Sequence, residues 1–155
     1  MAHGGDVIAE LTAQHRELDE MFDIIERAPA PVERQTTAAR LTAGLARHAT
    51  AEAEHLHPAV RDHLPDGGLV ADQELAAHAR IARILGDLEG LDAGRPDFDR
   101  LIVVLKAEVT AHVWAEEENL FPRLRRALGP DRLRTLGEEV RRSEAAGPHA
   151  HPVRS

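Results

Sequence analysis

The stretch HATAEAEHLHPAVRDHL, His48 to Leu64, decides the fold because it returns as HVWAEEENLFPRLRRAL, His112 to Leu128. At an offset of 64 the two agree at eight of 17 positions: His48/His112, Ala51/Ala115, Glu52/Glu116, Glu54/Glu118, Leu56/Leu120, Pro58/Pro122, Arg61/Arg125 and Leu64/Leu128. In each copy a histidine and a glutamate stand four residues apart. On a helix that spacing puts both side chains on one face, about 5 to 6 Å apart at Cβ, so a single cation can meet both. One such pair is common on a solvated helix. Its recurrence in register is what points to a metal.

The segments around the repeat complete a bundle. Long runs rich in Ala, Leu, Glu and Arg are cut by Pro and Gly clusters, and none alternates like a strand. The periodicity predicts a helix from an Asp6 cap to about Ala28, with Leu11, His15, Leu18, Phe22 and Ile25 along one face. Further helices are predicted over about Val32–Leu64, Val70–Leu91 and Phe98–Leu128, separated by PAP, PDGG and DAGRPD. Such short links make successive helices antiparallel. The fold class is therefore all-α: an up-down-up-down four-helix bundle with a short fifth helix, about Asp131 to Ser143. Residues 1–145 are assigned to the bundle domain and 146–155 to a mobile tail. Pro58 and Pro122 are expected to kink or break their helices.

A second, weaker repeat relates the first and third helices at an offset of 63, placing His15 over His78 and Leu18 over Ile81. Each of the four long helices thus aims an imidazole inward, and Glu74 stands one turn before His78. Buried together without a partner, these carboxylates would each lose several kcal/mol of hydration, by an order-of-magnitude reckoning, and a bound cation removes that conflict. The candidate metal ligands are His15, His48, Glu52, Glu74, His78, His112 and Glu116. His55, His57 and His63 have Asn119, Phe121 and Ala127 as counterparts and are assigned to the surface, as is Asp19; His3, His149 and His151 fall in the expected tails.

Imidazole and carboxylate without thiolate suit iron, manganese or zinc, and so many ligands overfill one tetrahedral zinc. Two octahedral ions fit if Glu52 and Glu116 bridge and one oxygen is shared. One position then stays open, as reaction with peroxide, dioxygen or nitric oxide requires.

Composition bounds the alternatives. The 155 residues include 19 basic and 27 acidic side chains, a formal charge of -8, which argues against nucleic acid and anionic membranes as partners. With no cysteine there is no disulfide, zinc-thiolate or iron–sulfur site. The N-terminus lacks an apolar signal core and no run is long enough to span a bilayer, so a cytoplasmic location is expected. A ferritin-like site needs a second Glu-x2-His to match Glu52-x2-His55, and Glu116-x2-Asn119 does not supply it.

His15, then HATAE leading to LHP at Pro58, then ELAAH from Glu74 to His78, then HVWAE leading to LFP at Pro122, resemble the hemerythrin-like, or HHE cation-binding, family over about residues 6–128. The resemblance implies two non-haem iron ions with a bridging oxo or hydroxo group, held by the His and Glu residues above. It also implies a small-molecule ligand such as peroxide, dioxygen or nitric oxide. Two departures, Glu74 where oxygen carriers have histidine and a spacing of four rather than five from His112 to Glu116, count against reversible oxygen carriage. Catalase-like peroxide decomposition is the leading activity expected; the alternative is a non-catalytic iron-binding or iron- or oxygen-sensing module. The sequence leaves the oligomeric state open.

Overall fold

The computed structural model describes residues 5–146; of the proposed tail, 146–155, Ala146 ends the last helix and the rest lies outside the described residues, as do His3, His149 and His151. Helix α1 is Val7–Arg27, and Asp6 caps it by accepting from the Ala9 N–H at 2.9 Å. Helix α2, Pro31–Ala51, runs through a π-helical turn, Glu52–Leu56, into α3, His57–His63. Helix α4 is Gly67–Leu88. Helix α5, Pro96–Ala115, passes through a second π turn, Glu116–Leu120, into α6, Phe121–Ala127, and α7 is Pro130–Ala146. The described residues thus form five helical rods and no strand, as the all-α reading expects.

Proline opens three rods. Pro31, Pro96 and Pro130 occupy a first turn, where the missing N–H has no intrahelical acceptor to lose. Helix α4 ends three residues earlier than the periodicity suggests, because Glu89 is extended and Gly90 takes φ +84°, a conformation that side chains disfavour. It also starts earlier, at Gly67. A Cβ there would collide with the Val60 carbonyl oxygen, so only glycine lets α4 begin this close to α3.

α1 packs on α2, and α4 on α5, as two hairpins, with α7 laid along α1. The apolar core falls into two separate clusters. One gathers Val7, Leu11, Leu56, Phe121, Leu124 and α7 residues such as Leu136 and Val140. The other gathers Leu18, Phe22, Leu41, Ile81, Phe98 and Leu105. Each cluster carries the hydrophobic stabilisation of its half of the bundle. The level between them, after Leu11 and before Leu18, is where His15 projects, and His48, His78 and His112 meet it there. Among the described residues no helix is long and apolar enough to cross a membrane.

Candidate metal centre

Seven polar side chains fill the level between the apolar clusters. His15, His48, Glu52, Glu74, His112 and Glu116 are buried, and His78 is nearly so, with Glu52 and Glu116 fully shielded from solvent. All seven residues singled out in the sequence therefore come together. They form two groups of potential donors, His15/His48/Glu52/Glu116 and Glu52/Glu74/His78/His112/Glu116, each with one donor atom per residue within 4.8 Å of the others. Glu52 and Glu116 belong to both.

Distances between the groups are short. His15 Nε2 is 2.9 Å from Glu116 Oε1, and His48 Nε2 is 3.0 Å from Glu52 Oε2. His78 Nε2 lies 2.9 Å from Glu52 Oε1. His112 Nε2 lies 3.2 Å from Glu116 Oε2 and 3.4 Å from Glu52 Oε1. Yet His15 Nε2, His48 Nε2, His112 Nε2, Glu52 Oε2 and both Glu116 oxygens are buried without an aligned hydrogen-bond partner. Native interiors seldom leave polar atoms so. Lone pairs converging on shared points are what a cation satisfies, so the donor set fits metal, and its all nitrogen and oxygen chemistry fits iron.

Two of the imidazoles are fixed from behind. His48 Nδ1 donates to Gln14 Oε1 at 2.7 Å, and the Gln14 amide nitrogen donates in turn to Glu144 on α7. His15 Nδ1 donates to Glu117 Oε2 at 2.7 Å. With Nδ1 protonated, each ring turns an unprotonated Nε2 inward, the form that binds metal.

The charges are unevenly distributed. Burial, then Glu52 and Glu74, push the Glu116 carboxyl well above its ordinary pKa. Glu52 is equally buried, but His48, with His112 and His78, outweighs burial and holds it well below. Burial and then His48 lower His15 to about 4. His112 is raised because Glu52 overcomes burial. Among the three carboxyls Glu116 is thus the one whose protonated form is favoured, and a bound cation would compete with that proton.

Sequence reasoning assigned His57 to the surface, and the structure corrects this: His57 is 3% exposed, with Nε2 3.3 Å from Glu74 Oε1. Its counterpart in the repeat is Phe121, so its burial follows from its surroundings and not from recurrence of the residue. Gln14 and Glu117 were also missed. Gln14 had a signal, a polar residue on the apolar stripe between Leu11 and Leu18; Glu117 had none, its counterpart being Ala53. His55 and His63 do not join the centre: His55 bonds Ser143 at 2.8 Å, and His63 is exposed.

A cavity of about 300 Å³ opens between α1 and α5 onto the four-donor side, lined by His15, Phe22, Val109, Val113, Trp114 and Glu117.

The family model of the hemerythrin HHE cation binding domain matches residues 6–149, nearly the whole chain, and the chain belongs to that family. Neither a curated protein nor a solved structure matches it.

Proposed function

We propose that the chain binds two non-haem iron ions and uses them to decompose peroxide. The observation that carries this is the pair of donor groups sharing Glu52 and Glu116. His15 and His48 serve one ion, Glu74, His78 and His112 the other, and the two shared carboxylates serve both. Two ions held there would draw four protein residues on the His15 side and five on the Glu74 side, with any shared oxygen adding to both. The His15 side has the fewer donors and faces the larger of two cavities at the centre, the other, of about 230 Å³, bordering Glu74 and His112.

Two irons supply the paired one-electron changes that two-electron peroxide chemistry needs. In the overall reaction one peroxide is oxidised to dioxygen, giving up two electrons and two protons, and a second takes them up to become two waters. The chain's residues prepare the place. Phe22, Val109 and Val113 give the cavity an apolar wall, exposed Arg16, Asp19 and Glu118 line it as well, and its size admits only a small molecule against His15. Glu117 lines the same cavity and engages His15 through Oε2, so its other oxygen is the acceptor for a proton released there.

Anaerobic loading with ferrous iron, metal analysis and addition of hydrogen peroxide at an oxygen electrode test the proposal. About two irons per chain and metal-dependent oxygen evolution are expected. Tight binding of two irons without oxygen evolution, and with a large gain in thermal stability, would favour the sensing or storage reading.

A further inference from the structure

Two positions break the repeat most sharply at the level of the centre: Glu74, whose counterpart is Leu11, and His57, whose counterpart is Phe121. The two touch. His57 Nε2 lies 3.3 Å from Glu74 Oε1, and the residues are 3% and 7% exposed. In the other half, the equivalent Phe121 ring stacks on His15, centroids 6.0 Å apart and planes 5° from parallel. The His57 ring flanks His78 at 5.4 Å between centroids, tilted by 33° rather than stacked. Both positions therefore back an imidazole of the centre, but only His57 also carries a polar hydrogen, and it does so where a carboxylate replaces leucine.

The tautomer follows from the surroundings. His57 Nδ1 is buried with no hydrogen-bond partner. A proton there would be an unsatisfied donor and would set the Nε2 lone pair against a carboxylate oxygen. A proton on Nε2 satisfies Glu74 and leaves only a lone pair unmatched, the cheaper arrangement. His57 itself is held by the backbone, because its N–H closes the π turn onto the Glu52 carbonyl. A covalent and hydrogen-bonded path thus runs from shared Glu52 through His57 to Glu74.

Resting on the di-metal reading above, we propose that His57 is a positioning residue that holds Glu74 by one oxygen, leaving the other for metal, and so makes the two metal positions unequal. Each depends on the other: without His57 a buried Glu74 has one fewer donor, and without Glu74 His57 Nε2 loses its acceptor.

Anaerobic titration of the full chain with Co(II), in competition with a chromophoric chelator, tests it. The parent is expected to take two ions. His57→Phe, which installs the counterpart's residue, is expected to weaken one equivalent about ten- to a hundred-fold and alter its visible ligand-field bands, with the other nearly unchanged. Glu74→Leu should weaken the same equivalent, and the double variant should be no weaker than Glu74→Leu alone. His57→Gln, which keeps an N–H, should recover most of the loss, whereas His57→Ala should not, and this pair carries the test if the Phe ring prevents folding. Unchanged binding in His57→Phe, equal behaviour of Gln and Ala, or losses that add in the double variant would overturn the role of His57 alone. A parent chain that takes fewer than two ions would overturn the di-metal reading and this inference with it.

Discussion

Glu52 and Glu116, 64 positions apart, each begin a five-residue π-helical turn, and each reaches histidines from both hairpins. The cause is local. Pro58 and Pro122 lack an N–H and would press their rings against the carbonyl four residues back. Widening the preceding turn relieves that clash, and the N–H groups of His57 and Phe121 bond five residues back, to Glu52 and Glu116. The sequence predicts kinks here. The structure replaces them with an expanded turn that starts on the very carboxylate shared by both groups.

Removing a shared carboxylate and removing a one-sided ligand should therefore differ in kind. Glu52→Ala or Glu116→Ala is expected to abolish binding of both irons, whereas His48→Ala or His78→Ala should lose about one per chain. Metal analysis after gel filtration checks this. Similar partial losses in all four variants would show that neither carboxylate is shared.

Why the fold and the seven candidate ligands were legible, while His57, Gln14 and Glu117 were not, has a physical reason. Six of these side chains recur because the two hairpins present the same face to the same level, so periodicity and repeat point to them directly; Glu74, whose counterpart is Leu11, is legible only from its place one turn before His78. Residues behind the ligands answer to neighbours distant in sequence: Gln14 spans from His48 to Glu144, and Glu117 reaches back 102 residues to His15. No local pattern encodes such partners. Helix α7 was legible as a helix, but not as a contributor to the centre's surroundings through Glu144. The close approach of Gly137 to Gly5 and Asp6, which any Cβ would block, was equally hidden.

Gln14 and Glu117 should act on metal through the imidazoles they orient. Gln14→Leu keeps the volume but removes the acceptor that fixes the His48 tautomer, and Glu117→Ala does the same for His15. Each is expected to lower iron affinity about ten- to a hundred-fold with little loss of helicity. Chelator competition and far-ultraviolet circular dichroism separate the two effects. Undiminished affinity would mean that both rings are oriented by the core alone.

The protonation pattern gives metal binding and metal-free stability opposite dependences on alkali. Glu116, with its pKa raised by burial, Glu52 and Glu74, must give up a proton when a cation enters. Iron affinity should therefore rise with pH, with proton uptake by the buffer measurable in calorimetry across buffers of different ionisation enthalpy. In the metal-free protein the raised Glu116 contributes stability that is lost as pH climbs through its folded pKa. His15, lowered to about 4, contributes stability that is lost as pH falls from about 6.5 toward 4. A melting temperature that falls on both flanks is expected without metal; the raised His112 also loses its contribution as pH climbs above about 6.5, so Glu116→Gln should lessen the alkaline fall without removing it and leave the acid flank as it is. An alkaline fall as steep in the variant as in the parent would place the proton elsewhere.

Glu74 sets the charge of the five-donor side, and its replacement tests what that charge does. Three carboxylates, Glu52, Glu74 and Glu116, face four imidazoles at this level. With two ferric ions and an oxo bridge, three carboxylates leave a net charge of about +1, and exchanging Glu74 for a neutral imidazole leaves about +2. By Coulomb's law the extra negative charge favours the ferric state, and burial between two apolar clusters weakens the screening that water would give. Glu74→His is therefore expected to raise the reduction potential and to slow peroxide turnover, since the oxidised pair becomes harder to regain. Glu74→Gln, which preserves shape and removes charge, should raise the potential in the same direction but hold iron less tightly, because an amide oxygen is the poorer ligand. Redox titration followed optically, with iron content measured on the same samples, distinguishes charge from ligation. If both variants match the parent in potential and iron content, Glu74 lies outside the metal's reach and the inequality of the two sides has another source.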